Sequence, residues 1–162
     1  MSLDSVRTFL AKHAPDLQIL ETEARTATVA EAAAAHGVEP AQIAKTLSLR
    51  VGDRVLLVVA RGDARLDNRK AKAAFGGKPR MLGAEEVVAL TGHPVGGVCP
   101  FGLATPLPVY CDLSLRDFDA VWPAAGSVNS ALRIAPERMA ALVGAEWVDV
   151  CQALAVAAAG DA

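Results

Sequence analysis

The stretch Thr91-Gly-His-Pro-Val-Gly-Gly-Val-Cys-Pro-Phe-Gly102 constrains the fold more than any other. It holds four of the thirteen glycines and two of the nine prolines. Neither helical nor strand periodicity runs through it, so it must be a shaped loop. Gly96-Gly97 frees the backbone for conformations that a side chain forbids. Pro100 removes one N–H and restricts Cys99 to extended geometry. The N–H groups of Gly97, Val98 and Cys99 can then point together, as a nest for an oxyanion, a carbonyl oxygen or a phosphate. A tight apolar connection between two elements is the competing reading.

Around this loop the chain reads as alternating short helices and strands. Val6, Phe9 and Leu10 mark one face of a helix over 2–13, stopped by Pro15. Leu17 to Leu20 reads as a strand. Thr28-Val-Ala-Glu31 is a capping-box pattern and Gly37 a natural terminator, which predicts a helix over 29–36. A helical turn containing Pro40 follows. The strand from Ala44 to Val51 alternates Leu47, Leu49 and Val51 with Thr46, Ser48 and Arg50. Gly52-Asp53 turns it into Val55–Ala60, an apolar run suited to a central strand buried on both faces.

Asp67 caps a predicted helix over 68–75, and Gly76-Gly77 ends it. A short strand at 80–82 and a helix over 84–90 lead into the glycine loop. Beyond it come a strand over 107–111 and a helical turn over 113–118. Two segments, 120–124 and 131–134, then flank Ala125-Gly-Ser-Val-Asn-Ser130. A helix over 136–143 and a strand or extended arm over 146–150 follow, and the Ala-rich end, 153–162, is expected to fray. Hairpins among helices argue for one mixed α/β domain over 1–162, not a regular parallel fold.

Apolar residues make up 52%, enough for a core, and no apolar run reaches the roughly 18 residues of a membrane span. The N-terminus lacks signal-peptide order. Cys99, Cys111 and Cys151 are odd in number and lack metal-ligand spacing, which favours the cytoplasm and no metal. No P-loop or dinucleotide fingerprint points to a cofactor.

The net charge of −2 argues against a protein that coats nucleic acid, DNA included. Residues 61–80 nevertheless carry seven Lys/Arg against Asp63 and Asp67, a local +5, with Arg69, Lys70 and Lys72 at the centre. That segment is either a phosphate-contacting face or an ordinary solvated helix.

Lys45, between Ala44 and Thr46, is either a snorkelling edge residue or a cation set in a cleft. His93 and Cys99 offer a base and a thiol on one loop, with no orienting Asn or Asp in view. Gly126, Ser127 and Asn129 make a polar turn that could also bound a small-substrate pocket.

Ala44-Lys-Thr-Leu47 with its two strands, the helix-plus-strand at 68–82, the glycine loop and Ala125–Ser130 together resemble the YbaK/prolyl-tRNA-editing domain family. The similarity runs over roughly 25–150 in the family's order, with Gly96 to Pro100 matching its Gly-x-x-x-Pro motif and Lys45 on its functional lysine. The resemblance implies a mixed α/β domain around a central, partly barrel-like sheet. It implies a free-standing enzyme that hydrolyses the ester of mischarged tRNA, such as tRNA-Pro carrying a small amino acid.

Lys45, Gly96, Gly97 and Val98 would form the catalytic set, with His93, Cys99, Pro100, Gly126, Ser127 and Asn129 at the substrate. Mischarged tRNA, and a synthetase, are the partners implied. The chain departs from the Cys-tRNA type of deacylase, which has Ser-Ala-Gly followed by basic residues where this chain has Ala124-Ala125-Gly126-Ser127. A non-catalytic module that binds aminoacyl-tRNA or a synthetase is the alternative, and a Cys99 thiol enzyme a second.

Overall fold

The apolar run at 55–60 becomes β3 (Arg54–Arg61), the strand on which the rest is hung; a computed structural model describes residues 2–153. β2 (Ile43–Val51) pairs with it antiparallel from Ala44↔Arg61 to Val51↔Arg54, closed by the two-residue turn Gly52-Asp53. Gly52 takes φ 60°, the left-handed conformation such a turn demands. On its other side β3 pairs in parallel with β5 (Val109–Asp112), which pairs in parallel with β8 (Glu146–Val148).

With both edges of β3 occupied, its side chains feed two cores. Leu57 and Val59 face Val6, Leu10, Phe101, Leu115 and Met139. Leu56, Val58 and Ala60 face Ala71, Phe75 and Val150. The first core is covered by α1 (Ser2–His13) and α5 (Pro136–Val143), the second by α3 (Asn68–Phe75). The local signals at the helix ends act as read. Thr28 and Glu31 form a reciprocal capping box at the start of α2 (Val29–His36), Asp67 accepts from the Lys70 N–H, and Gly37 and Gly76 end their helices at positive φ. The sequence of elements is completed by α4 (Ala84–Thr91), β1 (Leu20–Glu21), β4 (Arg80–Met81), β6 (Trp122–Pro123) and β7 (Ser130–Ala131).

Three expectations are corrected. The sheet is mixed, but it does not close toward a barrel: its order is β4-β2-β3-β5-β8, with β6 added parallel to the start of β2. Closure fails because, among the described residues, the outer edge of β2 meets only two short pieces, at Ile43–Ala44 and at Leu49–Arg50. The strand expected over 17–20 shrinks to β1, which pairs with β7 in a separate two-stranded ladder. The strand expected from Leu107 begins at Val109; the Pro108 carbonyl still accepts from the Leu57 N–H. The expected fraying of the C-terminal end falls, from residue 154 onward, outside the described residues.

Candidate active site

A cleft of about 320 Å³ opens on the outer edge of β2. Its walls are the segment Thr26–Val29 entering α2, the turn before Val98, and the strands β6 and β7. Lys45, Gly96 and Val98 line it; Gly97, His93, Cys99, Pro100, Gly126, Ser127 and Asn129 do not.

The glycine loop is built from a turn. The Gly97 N–H donates to the Pro94 carbonyl at 2.8 Å, and Gly96 takes φ 92° at the third position, the type II pattern. A Cβ on Gly96 would lie 2.7 Å from that of Ala27, and one on Gly97 would lie 2.8 Å from the Ser127 main chain. The Gly126 N–H donates to the Gly97 carbonyl at 3.0 Å, so the two special loops of the sequence lock to each other. This revises the nest. The Gly97 N–H is spent inside the turn. Among the described residues the Val98 N–H has no protein partner, and Val98 borders the cleft.

Lys45 is half-buried, and its ammonium donates to the Ala64 carbonyl. Burial holds its pKa below the ordinary lysine value, with Asp63 opposing the shift in part. Among the described residues it is the only ionisable side chain on the cleft wall.

His93 and Cys99 meet, but inside the core. His93 Nε2 lies 2.8 Å from the Phe101 carbonyl and 3.6 Å from Cys99 Sγ. A ring nitrogen facing a carbonyl must carry the proton, so Nε2 cannot also take one from the thiol. Both residues are fully buried; burial pushes the Cys99 thiol up to about 12 and the His93 imidazole below its usual value. Thiolate is the reactive form, so this pair packs and does not attack. Cys111 and Cys151 are buried and shifted to about 12 as well. Iodoacetamide at pH 8 is therefore expected to leave the native protein unlabelled over an hour, while denatured protein gains three adducts by mass spectrometry. Rapid labelling of native Cys99 would return the thiol to consideration.

Ser127 and Asn129 act as a clamp. Ser127 Oγ donates to Ser130 Oγ at 2.6 Å, and Asn129 Nδ2 donates to the Thr22 carbonyl at 2.8 Å. The Thr22 and Thr26 N–H groups donate to the Asn129 and Val128 carbonyls. The clamp holds Thr26–Val29 against the cleft, which is bordered by the buried Ser130 and not by Ser127. Sequence reasoning missed Thr26, Thr28 and Trp122 as wall residues. Thr28 was legible only as a helix cap, and Trp122, stacked on His36 at 4.8 Å, carries no local signal.

The basic segment is partly consumed internally. Arg61 is buried between Asp63 and Asp117, at 2.6 and 2.7 Å, and Lys70 bonds Asp149 and the Cys151 carbonyl. Among the described residues Arg65, Arg69 and Lys72 are exposed and form no ion pair. No cluster of three metal-ligating side chains occurs among them either, and no described helix is long and apolar enough to cross a membrane.

A lysine-bearing cleft beside a glycine turn, on a mixed sheet of this order, defines a class of protein. Residues 23–142 match the model of the aminoacyl-tRNA editing domain, and the chain belongs to that family. It is 47% identical over 154 residues to the uncharacterized protein YwhH of Bacillus subtilis, covering 94% of this chain and 98% of that one. It is 32% identical over 117 residues to EbsC of Enterococcus faecalis, named as a candidate Cys-tRNA(Pro)/Cys-tRNA(Cys) deacylase, covering 70% and 71%. A crystal structure described as a candidate trans-editing enzyme for prolyl tRNA synthetase superposes with a TM-score of 0.87 at 37% identity, covering 94% and 98%.

Proposed function

We propose that this chain is a free-standing aminoacyl-tRNA deacylase acting in the cytoplasm, and that tRNA-Pro bearing a small amino acid is its substrate. The observation that carries the reading is a cleft whose wall combines one cation, Lys45, with an N–H at Val98 that no protein group uses. The descriptions of EbsC and of the trans-editing candidate support the substrate class.

An aminoacyl ester is already activated, so positioning and oxyanion stabilisation suffice for hydrolysis. Lys45 releases the Ala64 carbonyl and holds the phosphate or ribose end of the acceptor. The Val98 N–H polarises the ester carbonyl, with Gly96 supplying the turn that aims it. Water, ordered by the terminal ribose hydroxyl, adds to the carbonyl carbon. The ester C–O bond then breaks and the ribose oxygen takes a proton. The size of the cleft limits the side chain it admits.

The test is a panel of tRNAs charged with non-cognate small amino acids. Release of amino acid from tRNA-Pro species, and little from correctly charged tRNAs, is expected. Tight binding without release would favour the non-catalytic module.

Exposed Arg69 and Lys72 are expected to meet tRNA phosphates. Changing both to Gln should raise KM and reduce the slope of log KM against log salt by about 1 to 2, since each phosphate contact contributes roughly 0.7 to 0.9. Lys70→Gln alone, already paired with Asp149, should leave the slope unchanged. An unaltered slope in the double variant makes this face an ordinary solvated one.

A further inference from the structure

The outer edge of β2 has a gap. β6 covers Ile43 and Ala44, and β4 covers Leu49 and Arg50, with the Leu82 N–H adding a bond to the Ser48 carbonyl at 3.0 Å. Main-chain groups alternate along a strand, so Ala44, Thr46, Ser48 and Arg50 face this edge while Lys45 and Leu47 bond β3. Among the described residues, Thr46 is the one member of that outward series with no strand beside it. By that alternation its N–H and C=O lie on the unpaired edge, beside the cleft that Thr46 lines. Its Oγ1 is buried there without a hydrogen-bond partner.

Buried polar groups are rarely left unpaired, because each costs about 1–3 kcal/mol. One such group, the Oγ1, beside a main-chain N–H and C=O on an open strand edge at a cleft, marks a place where a ligand supplies the missing partners. The character of the wall says which ligand group comes here. Among the described residues no carboxylate lines the cleft, and the Lys45 ammonium is its only charge. A cationic group entering it must be held by neutral acceptors, and the Thr46 carbonyl is the strand acceptor left free.

Building on the deacylase reading, we propose that Thr46 recognises the α-ammonium of the aminoacyl group. The Thr46 C=O and Oγ1 accept its hydrogen bonds, and the ligand covers the Thr46 N–H as a missing strand would. The site would thereby read the free amino group common to aminoacyl esters and exclude N-blocked ones.

The test is binding of 3′-(L-alanylamino)-3′-deoxyadenosine, a non-hydrolysable mimic, against its des-amino counterpart, the propanoylamino compound, followed by amide NMR. The Thr46 amide is expected to exchange rapidly in the free protein, to slow and shift with the alanyl compound, and to respond little to the propanoyl one. The propanoyl compound should bind about 10- to 100-fold more weakly, the scale of a lost charge-assisted hydrogen bond. Thr46→Val should narrow that difference several-fold, and Thr46→Ser should restore it. Equal affinity for the two compounds, or bound ligand with an unmoved Thr46 amide, overturns the assignment, as does failure of both to bind at millimolar concentration. The outcomes separate cleanly from the deacylase reading. Hydrolysis of the tRNA panel with no amino-group selectivity sinks only the Thr46 assignment. Thr46-dependent selectivity without any hydrolysis sinks only the enzyme.

Discussion

Lys45→Met is expected to lower deacylation of mischarged tRNA by at least about 100-fold while the protein melts no lower than wild type at pH 7. The two halves come from the same burial. The ammonium sits half-buried at the cleft, bonded to a neutral carbonyl, and desolvation lowers its pKa from the ordinary 10.5. Between its folded pKa and 10.5 the unfolded chain holds a proton that the folded chain sheds, so this group makes stability rise with pH across that window. Below the window, at neutral pH, the buried charge weighs against folding. Methionine fills similar space without the charge, so the difference in melting temperature between the two proteins should shrink as pH climbs toward 10.5. Activity should move the opposite way: wild-type kcat/KM falls as pH rises through the lowered pKa, because the charged form does the binding. Lys45→Arg should not rescue, since a planar guanidinium does not replace a compact ammonium at this strand edge. Near-normal turnover by well-folded Lys45→Met would remove the residue from the mechanism.

What could be read from the chain beforehand follows the range of the interactions. The Thr28/Glu31 box, the Asp67 cap, the Gly37 and Gly76 terminators and the Gly52-Asp53 hairpin are decided within a few residues, and each stands where expected. The central position of β3 was legible because only a strand buried on both faces tolerates so unbroken an apolar run. Distant pairing was not legible. Lys70 finds Asp149 across 79 residues, and the clamp joins Thr22 to Asn129 across 107. The gap at Thr46 depends on where two short strands stop, and no local pattern marks that. The glycine motif offered the N–H groups of Gly97, Val98 and Cys99 alike, and that of Gly97 the turn itself consumes. A turn donor and a nest donor look the same in sequence; only the fold separates them.

That separation fixes the second large effect. Val98→Pro deletes a loop N–H at the cleft that no protein group uses among the described residues, and kcat is expected to fall by about 100- to 1000-fold, the usual cost of one oxyanion donor. KM should move far less, because the donor acts on charge that develops after binding. Proline at 98 also restricts Gly97 toward extended backbone, so circular dichroism and a melting curve must accompany the kinetics. Cys99→Ala provides the contrast. It keeps the neighbouring N–H and removes only a buried sulfur near Phe101 and His93, so it should cost stability while leaving turnover largely intact. Gly97→Pro, by comparison, breaks the turn hydrogen bond and drives atoms into the Ser127 main chain, so it is expected to unfold the loop and report nothing about catalysis. An inactive Cys99→Ala beside an active Val98→Pro would transfer catalysis to the thiol. The reverse pattern leaves the glycine turn as the element that aims a single N–H at the ester, with the cysteine as part of the packing that holds it there.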